Sequence, residues 1–339
     1  MFENTNIDKL VKKFSKFKIL IIGDVMIDTY LWGRVDRVSP EAPVPVVTNV
    51  HTEKRLGGAA NVALNIKAMG AVPILCSVIG DDPRGKEFIE LLNSQNLSDV
   101  GIQVDSRRMT TQKTRIISGN QHLLRVDEEI DDYINTAAQI RMIDFIDNMI
   151  TEGSIDSIIF QDYDKGVVTP FIISEVTRIA NSKKVPILVD PKKRNFQLYE
   201  NATLFKPNLK ELSQGLKTEI DRHDFEGISG AMEKLRTKKN HQLLMVTLSE
   251  LGIMINDNDK YHHISAEIRD IADVSGAGDT VISLASLCLA SGLCPMEIAA
   301  ISNIAGGQVC EKAGVVPVNK AQLIKEIKIF IEDDKRNLI

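Results

Sequence analysis

The sequence predicts an α/β protein: a doubly wound, mostly parallel sheet flanked by helices, with a small β-sheet lid outside the main layer. Three observations predict it. Short apolar runs recur along the chain, each ending in polar groups. Helical periodicity lies between them. Two long stretches, 28–55 and 108–129, show extended alternation instead. Strands alternating with helices of this length imply right-handed βαβ units, with ligands gathered outside the carboxyl ends of the strands.

The elements follow in order. FKILIIGD (17–24) is a continuous apolar run ending in Gly-Asp, as expected of a parallel strand buried on both faces. The stretch 28–55 contains three prolines and extended segments such as VPVVTNV, so it is expected to be strand rather than helix. AANVALNIKAMG (59–70) and PRGKEFIELLNSQN (83–96) are helical patterns on either side of the strand PILCSVIGDD (73–82). The segment from 108 to about 127 is strand-like and is expected to pair with 28–55 as the lid, because structureless loops of that length are uncommon in compact domains. SIIFQDYDKG (157–166), VPILVDPKK (185–193), ATLFKPN (202–208) and LLMVTLSELG (243–252) are further buried strands with polar ends.

With 339 residues, 43% of them apolar and 26% charged, the chain can bury a large core, and length alone suggests about two domains. A net charge of −5 argues against a general nucleic-acid surface, and no window approaches a membrane span. Cys76, Cys288, Cys294 and Cys310 form no CxxC pair and lie in or beside apolar segments, as reduced core residues do. The first sixteen residues are polar and Lys-rich without an apolar centre, so no signal peptide is expected and a cytoplasmic location is.

DVSGAGDT (273–280) carries the chemistry. A P-loop would need Lys-Ser/Thr after its last glycine, where this chain has Asp279-Thr280. A dinucleotide fingerprint would need a third glycine. A small-residue turn, Gly276-Ala277-Gly278, opening a helix instead directs backbone N–H groups at developing phosphoryl charge. Asp279 then has two readings, the general base that takes the proton of an attacking hydroxyl or an N-terminal helix cap.

GGAANVALNI (57–66), with Asn61, and DVSGAGDTVIS (273–283) resemble the two signatures of the PfkB, or ribokinase-like, family of carbohydrate kinases. The resemblance extends over essentially the whole chain and implies one kinase domain, 1–339, of ribokinase-like fold. Leu284 departs from the small residue the signature prefers at that place. The resemblance implies that Asp279 is the catalytic base with Gly276, Ala277 and Gly278 as its anion hole. It further implies that Asp28 and Asn61 contact the sugar, and that Gly57 and Gly58 form the hinge of the lid. Asn208 and Glu211 of NLKE match a motif that organises Mg²⁺ and phosphate through water, alongside a capping reading for both. Thr247, Gly252 and Asn303 fall where the family binds ATP, and Asp273 where some members hold a monovalent cation such as K⁺.

Within the family, RVSPEAPVPVV (37–47), SGNQHLLRVD (118–127), QDYDKG (161–166) and LVDPKK (188–193) resemble the kinases of D-glycero-D-manno-heptose 7-phosphate. That implies ATP-dependent phosphorylation of the anomeric hydroxyl to the 1,7-bisphosphate, on a route to nucleotide-activated heptose for lipopolysaccharide. A kinase for another sugar phosphate, such as fructose 6-phosphate, and a non-catalytic sugar or nucleotide sensor stay open beside it. Arg115, Arg125, Lys165 and Lys192 are the cations expected at the substrate phosphate, with Asp162 and Asp190 orienting the lysines or touching hydroxyls. The chain ends at IEDDKRNLI, so a stand-alone kinase without a nucleotidyltransferase domain is expected, and the apolar VPVV run leads us to expect a homodimer through the lid.

Overall fold

The computed structural model describes Phe2 and residues 5–336 other than Asn120 and Asp259. In chain order, α1 (Ile7–Phe14) leads into β1 (Lys18–Gly23), and β2 (Val25–Val38) and β3 (Pro45–Gly58) form a long hairpin. α2 (Ala59–Ala68), β4 (Val72–Gly80), α3 (Pro83–Ser94), β5 (Ile102–Asp105), β6 (Gln112–Ser118) and β7 (Gln121–Glu128) follow. Then come α4 (Thr136–Thr151), β8 (Ser157–Gln161), α5 (Pro170–Ser182), β9 (Ile187–Asp190), β10 (Leu204–Phe205), α6 (Leu209–Leu216), α7 (Phe225–Lys239) and β11 (Leu243–Thr247). The hairpin of β12 (Ile253–Asp257) and β13 (Lys260–Ile264) precedes α8 (Ala277–Ala290), α9 (Pro295–Cys310) and α10 (Lys320–Arg336).

Nine strands form the main sheet in the order β13-β12-β11-β10-β9-β8-β1-β4-β5, all running parallel except β12, which is antiparallel to both of its neighbours. A separate sheet has the order β3-β2-β6-β7. The α/β architecture expected from the sequence, a mostly parallel sheet flanked by helices, is present, and the 28–55 and 108–127 stretches do pair outside the main layer. The sequence reading gave no strand to β5, β12 or β13.

Alternation within the strands fills both faces of the main sheet. Ile19 and Ile21 of β1 join the core beneath α2, α8 and α9, whereas Leu20 and Ile22 join the opposite core beneath α4, α5 and α7. All four are inaccessible to solvent, as the near-continuous apolar run of a doubly covered parallel strand requires. Prolines begin α3, α5 and α9, where the absent N–H costs no helical hydrogen bond.

Between β1 and β2 stands a single residue, Asp24, so the chain passes directly from the main sheet into the small one. It returns at Gly58, which directly precedes α2, and the Ala59 N–H donates to the Asp24 carbonyl at 2.9 Å. Gly58 has φ +60°, and a Cβ there would lie 2.4 Å from that carbonyl, so both conformation and space call for glycine. The Asp24 carboxylate accepts the N–H groups of Tyr163, Lys165 and Val167 at 2.8, 3.1 and 2.9 Å. Burial raises its pKa, against the pull of those three donors. One side chain at the junction of the two sheets thus holds the loop that follows β8.

Asp24→Ala would orphan one buried N–H group, that of Val167, and two half-buried ones, those of Tyr163 and Lys165, at about 1–3 kcal/mol for the buried group and less for each of the others. Urea unfolding should show a stability loss of about 3 kcal/mol or more; a loss below about 1 kcal/mol would mean the loop is held by something else.

Candidate active site

The backbone builds the centre of the site where α8 begins. Gly276 caps the helix at φ +82° with no side-chain cap, and a Cβ on it would approach Asn61 Nδ2 to 2.8 Å. The Ala277 N–H turns back to the Val274 carbonyl at 3.3 Å, so the N–H groups that follow it are the ones the helix start offers. Asp279, in the first turn, is 3% exposed.

Its carboxylate is held by three side chains from three parts of the chain. Asn61 Nδ2, from α2, donates to Oδ2 at 2.8 Å; Gln161 Nε2, at the end of β8, donates to Oδ1 at 3.1 Å; and the Tyr163 hydroxyl donates to Oδ1 at 2.6 Å. None of these donors is a helix N–H, so the capping alternative does not describe the residue. Burial pushes the Asp279 pKa up to about 6; Asn61 and Tyr163 pull down, the neighbouring Asp190 pushes up and Lys206 pulls down. A carboxyl group poised near neutrality is suited to general-base work.

Asp190, ending β9, shares the Gln161 amide at 3.2 Å and pairs with the buried Lys206 at 3.1 Å. A Cβ on Gly278 would stand 3.6 Å from both Asp190 Oδ2 and Lys206 Nζ, so the glycine turn lies against that ion pair. Lys192 pairs with Glu211 Oε1 and lies 5.5 Å above the Tyr163 ring. Burial depresses the Lys192 pKa, but Asp190 and Glu211 outweigh it and the net shift is upward, so the ammonium stays charged. Asn208 caps α6, and its Oδ1 accepts the Glu211 N–H at 2.8 Å while Glu211 Oε2 accepts the Asn208 N–H at 2.9 Å. The capping reading of this pair is therefore realised. Both Glu211 oxygens already accept hydrogen bonds, and no three His, Cys, Asp or Glu side chains converge among the described residues. This donor set fits a Mg²⁺ held through water and substrate phosphate, not in a protein cage.

The small sheet brings a second group of charges. Asp28 is buried and pairs with Arg115, whose guanidinium lies 5.3 Å from the Tyr30 ring. Gly57 admits Asp28, because a Cβ there would stand 2.0 Å from Asp28 Oδ2. Lys113 bridges Asp127 and Glu129 at 2.9 Å each, Arg125 joins Asp127 at 2.9 Å and Lys165 joins Glu129 at 2.7 Å. Lys165 and Lys192, expected to act together, are thus tied to different carboxylates. Asp162 orients no lysine by direct contact; its carboxylate accepts from Asn195 and Tyr199, both at 2.9 Å, and from the Asp164 N–H at 2.8 Å.

The residues expected around the nucleotide lie along β11 and its neighbours. Thr247 ends β11 and bridges to Asn208. Gly252 has φ +93°, and a Cβ there would meet the Ile264 carbonyl at 2.0 Å. Asn303 Nδ2 donates to the Ser265 carbonyl at 2.9 Å. Asp273 accepts the N–H groups of Ser275 and Gly314 at 2.9 and 3.0 Å, joining the loop before α8 to the one after α9.

Sequence reasoning missed Gln161, Tyr163, Lys113, Lys206 and Asp24. Gln161, Tyr163, Lys206 and Asp24 stand at or just after strand ends, which was the available signal, and QDYDKG and ATLFKPN contain three of them; Lys113 lies within β6.

The family described as pfkB family carbohydrate kinase matches residues 16–321. A Helicobacter pylori J99 protein named bifunctional protein HldE is 40% identical over 297 residues, which is 88% of this chain and 63% of that protein. A protein of the same name from Pelobacter propionicus is 35% identical, covering 98% of this chain and 67% of its own length. The chain thus spans about two thirds of the length of these relatives. Among solved structures, Escherichia coli phosphofructokinase-2 in complex with potassium matches at TM-score 0.74 and 16% identity, over 93% of this chain and 99% of its own. Arabidopsis thaliana ribokinase complexed with ribose and ATP matches at TM-score 0.70 and 17% identity, over 91% and 98%. At these identities the two structures speak to the fold alone. No helix among the described residues is long and apolar enough to cross a membrane.

Proposed function

Since the chain belongs to the pfkB family of carbohydrate kinases, we propose that it transfers the γ-phosphoryl group of ATP to the anomeric hydroxyl of D-glycero-D-manno-heptose 7-phosphate. The product is the 1,7-bisphosphate. The arrangement around Asp279 carries the mechanism, and the similarity to proteins named HldE, together with the RVSPEAPVPVV segment on the small sheet, supports the substrate.

A carboxylate offers about four lone-pair positions. Oδ1 of Asp279 accepts twice and Oδ2 once, so the position left for an acceptor hydroxyl is on Oδ2. The hydroxyl oxygen attacks the γ-phosphorus, its proton passes to Oδ2, and the bond to the departing ADP oxygen breaks with its electron pair going to ADP. The start of α8, with Lys192 and Lys206 beside it, faces the charge that develops on the phosphoryl oxygens. Mg²⁺ bound with ATP supplies charge neutralisation at the phosphates, and Glu211 with Asn208 would hold it through water. Thr247, Gly252 and Asn303 bound the ATP pocket, and Asp273 is the candidate at a monovalent-cation site.

On the sugar side, Asp28 and Asn61 contact hydroxyls, and the Lys113, Arg125 and Lys165 chain with Arg115 receives the remote phosphate. That phosphate draws the small sheet down as a lid, turning about Asp24 and Gly57-Gly58. Its binding energy is then expressed in kcat as well as KM.

The strand register sets Tyr30, Arg115 and Arg125 side by side on one face of the small sheet and Leu31, Ile116 and Leu124 on the other. Leu124 is 56% exposed and its neighbour Val126 42%. A second copy of this chain covering that apolar face is the homodimer we propose.

In a coupled ADP-release assay, heptose 7-phosphate should outperform fructose 6-phosphate. Asp279→Asn should keep ATP binding while losing kcat by on the order of 10² or more. Activity within a few-fold of the parent would remove Asp279 from the base role. Because the base must be ionised, kcat/KM should fall about tenfold per unit as pH drops below about 6. Tyr163→Phe deletes a donor that lowers the Asp279 pKa, so the acid limb should move to higher pH; an unmoved or lowered limb would show that Tyr163 does not tune the base. Light scattering at micromolar concentration should report a dimer that Leu124→Lys converts to monomer, and a fully active parent monomer would end the pairing proposal.

A further inference from the structure

Gln161 is 1% exposed and closes β8, where it pairs with Gly23 of β1. The glycine makes room for it, since a Cβ on Gly23 would stand 3.0 Å from Gln161 Cβ and 2.0 Å from its carbonyl oxygen. The side-chain amide bridges two carboxylates, its Nε2 donating to Asp279 Oδ1 at 3.1 Å and Asp190 Oδ2 at 3.2 Å. That bridge fixes which end is which, because a flipped amide would set an acceptor against two acceptors. The other end, Oε1, is buried and has no hydrogen-bond partner among the described residues. A buried acceptor without a donor is costly, and a polar group of this kind in a site that must recognise hydroxyls is a receptor for one.

We propose that Gln161 is a specificity-determining residue whose Oε1 accepts a hydrogen bond from the sugar hydroxyl next to the one that Asp279 deprotonates. The inference rests on the proposed sugar-phosphate kinase reading. Nε2 and Oε1 belong to one planar amide, so fixing the first against the base fixes the second one amide width from it. When the reacting hydroxyl lies on Asp279, the nearest other donor a sugar can present is the hydroxyl on the adjacent carbon. Asp279 and Gln161 are 3% and 1% exposed and touch through the Nε2–Oδ1 hydrogen bond, so an acceptor seated on one lies beside the other. A ligand without that neighbouring hydroxyl leaves Oε1 unsatisfied and is discriminated against.

The test compares kcat/KM for heptose 7-phosphate and its 2-deoxy analogue in the parent, Gln161→Met and Gln161→Glu, with circular dichroism to check folding. The parent should prefer the 2-hydroxy sugar by about 10- to 100-fold. Gln161→Met, which fills the space with only a weak thioether acceptor, should bring the two sugars within about threefold of each other. Gln161→Glu keeps an acceptor oxygen but sets a carboxyl group beside two others, so it should lose rate and retain the preference. A parent indifferent to the 2-hydroxyl, or a Gln161→Met enzyme with the full preference, overturns the inference while leaving the kinase reading intact. Equal losses in both variants with an unchanged preference would reduce Gln161 to a structural bridge. If the parent is inert toward heptose 7-phosphate but turns over fructose 6-phosphate, the substrate reading fails separately. The comparison is then made with 2,5-anhydro-D-mannitol 6-phosphate, which lacks the 2-hydroxyl, and the same preference and its loss are required.

Discussion

Everything in the site depends on keeping one carboxylate, that of Asp279, out of water without letting it become inert. Burial alone would hold it protonated and useless as a base. Three neutral donors, from Asn61, Gln161 and Tyr163, return part of the stabilisation that water would have given the charge, and the balance leaves the group near neutrality. Neutral donors matter here. A lysine in direct contact would stabilise the ionised form so strongly that the carboxylate would be a weak base, and Lys206 is instead paired with Asp190.

Those three donors come from α2, the end of β8 and the loop beyond it, so the surroundings of Asp279 can be built only after the sheet has assembled. Asp24 links this assembly to the small sheet. Its carboxylate fixes the loop that carries Tyr163, and its carbonyl accepts the first N–H of α2, the helix that carries Asn61. The residue at which the chain leaves the main sheet therefore also sets two of the three contacts to Asp279. Movement of the small sheet about that junction would be felt at Asp279 without any long-range relay.

Much of the fold was legible because buried parallel strands leave a plain trace. Runs such as KILIIG can hide both faces only in a doubly covered sheet, and the prolines and alternation at 28–55 left strand as the remaining option. β12 and β13 were missed because Ile253–Asp257 and Lys260–Ile264 are short, and the second is rich in polar and histidine side chains. In the site, Gly276 could be found because its φ of +82° and the nearness of Asn61 restrict it to glycine, and Asp279 because it stands in the first turn of the helix that this glycine opens. Gln161, Tyr163 and Lys206 were marked only by their places at or just after strand ends, since each matters through a partner more than 10 residues away that only the folded chain supplies. Of the four expected cations, Arg115 and Arg125 lie on the small sheet and Lys165 and Lys192 in the loops after β8 and β9, yet charge type alone could not say which carboxylate each would meet. Lys165 meets Glu129 and Lys192 meets Glu211.

The central claim is geometric: the acceptor hydroxyl docks on Oδ2 of Asp279, because Oδ1 is already occupied by Gln161 and Tyr163. A crystal structure with heptose 7-phosphate and a non-hydrolysable ATP analogue measures this directly. The account predicts the anomeric oxygen within hydrogen-bonding distance of Oδ2, with the Gln161 and Tyr163 contacts to Oδ1 retained. An anomeric oxygen bound at Oδ1 with Tyr163 displaced, or one that does not touch Asp279, would contradict it.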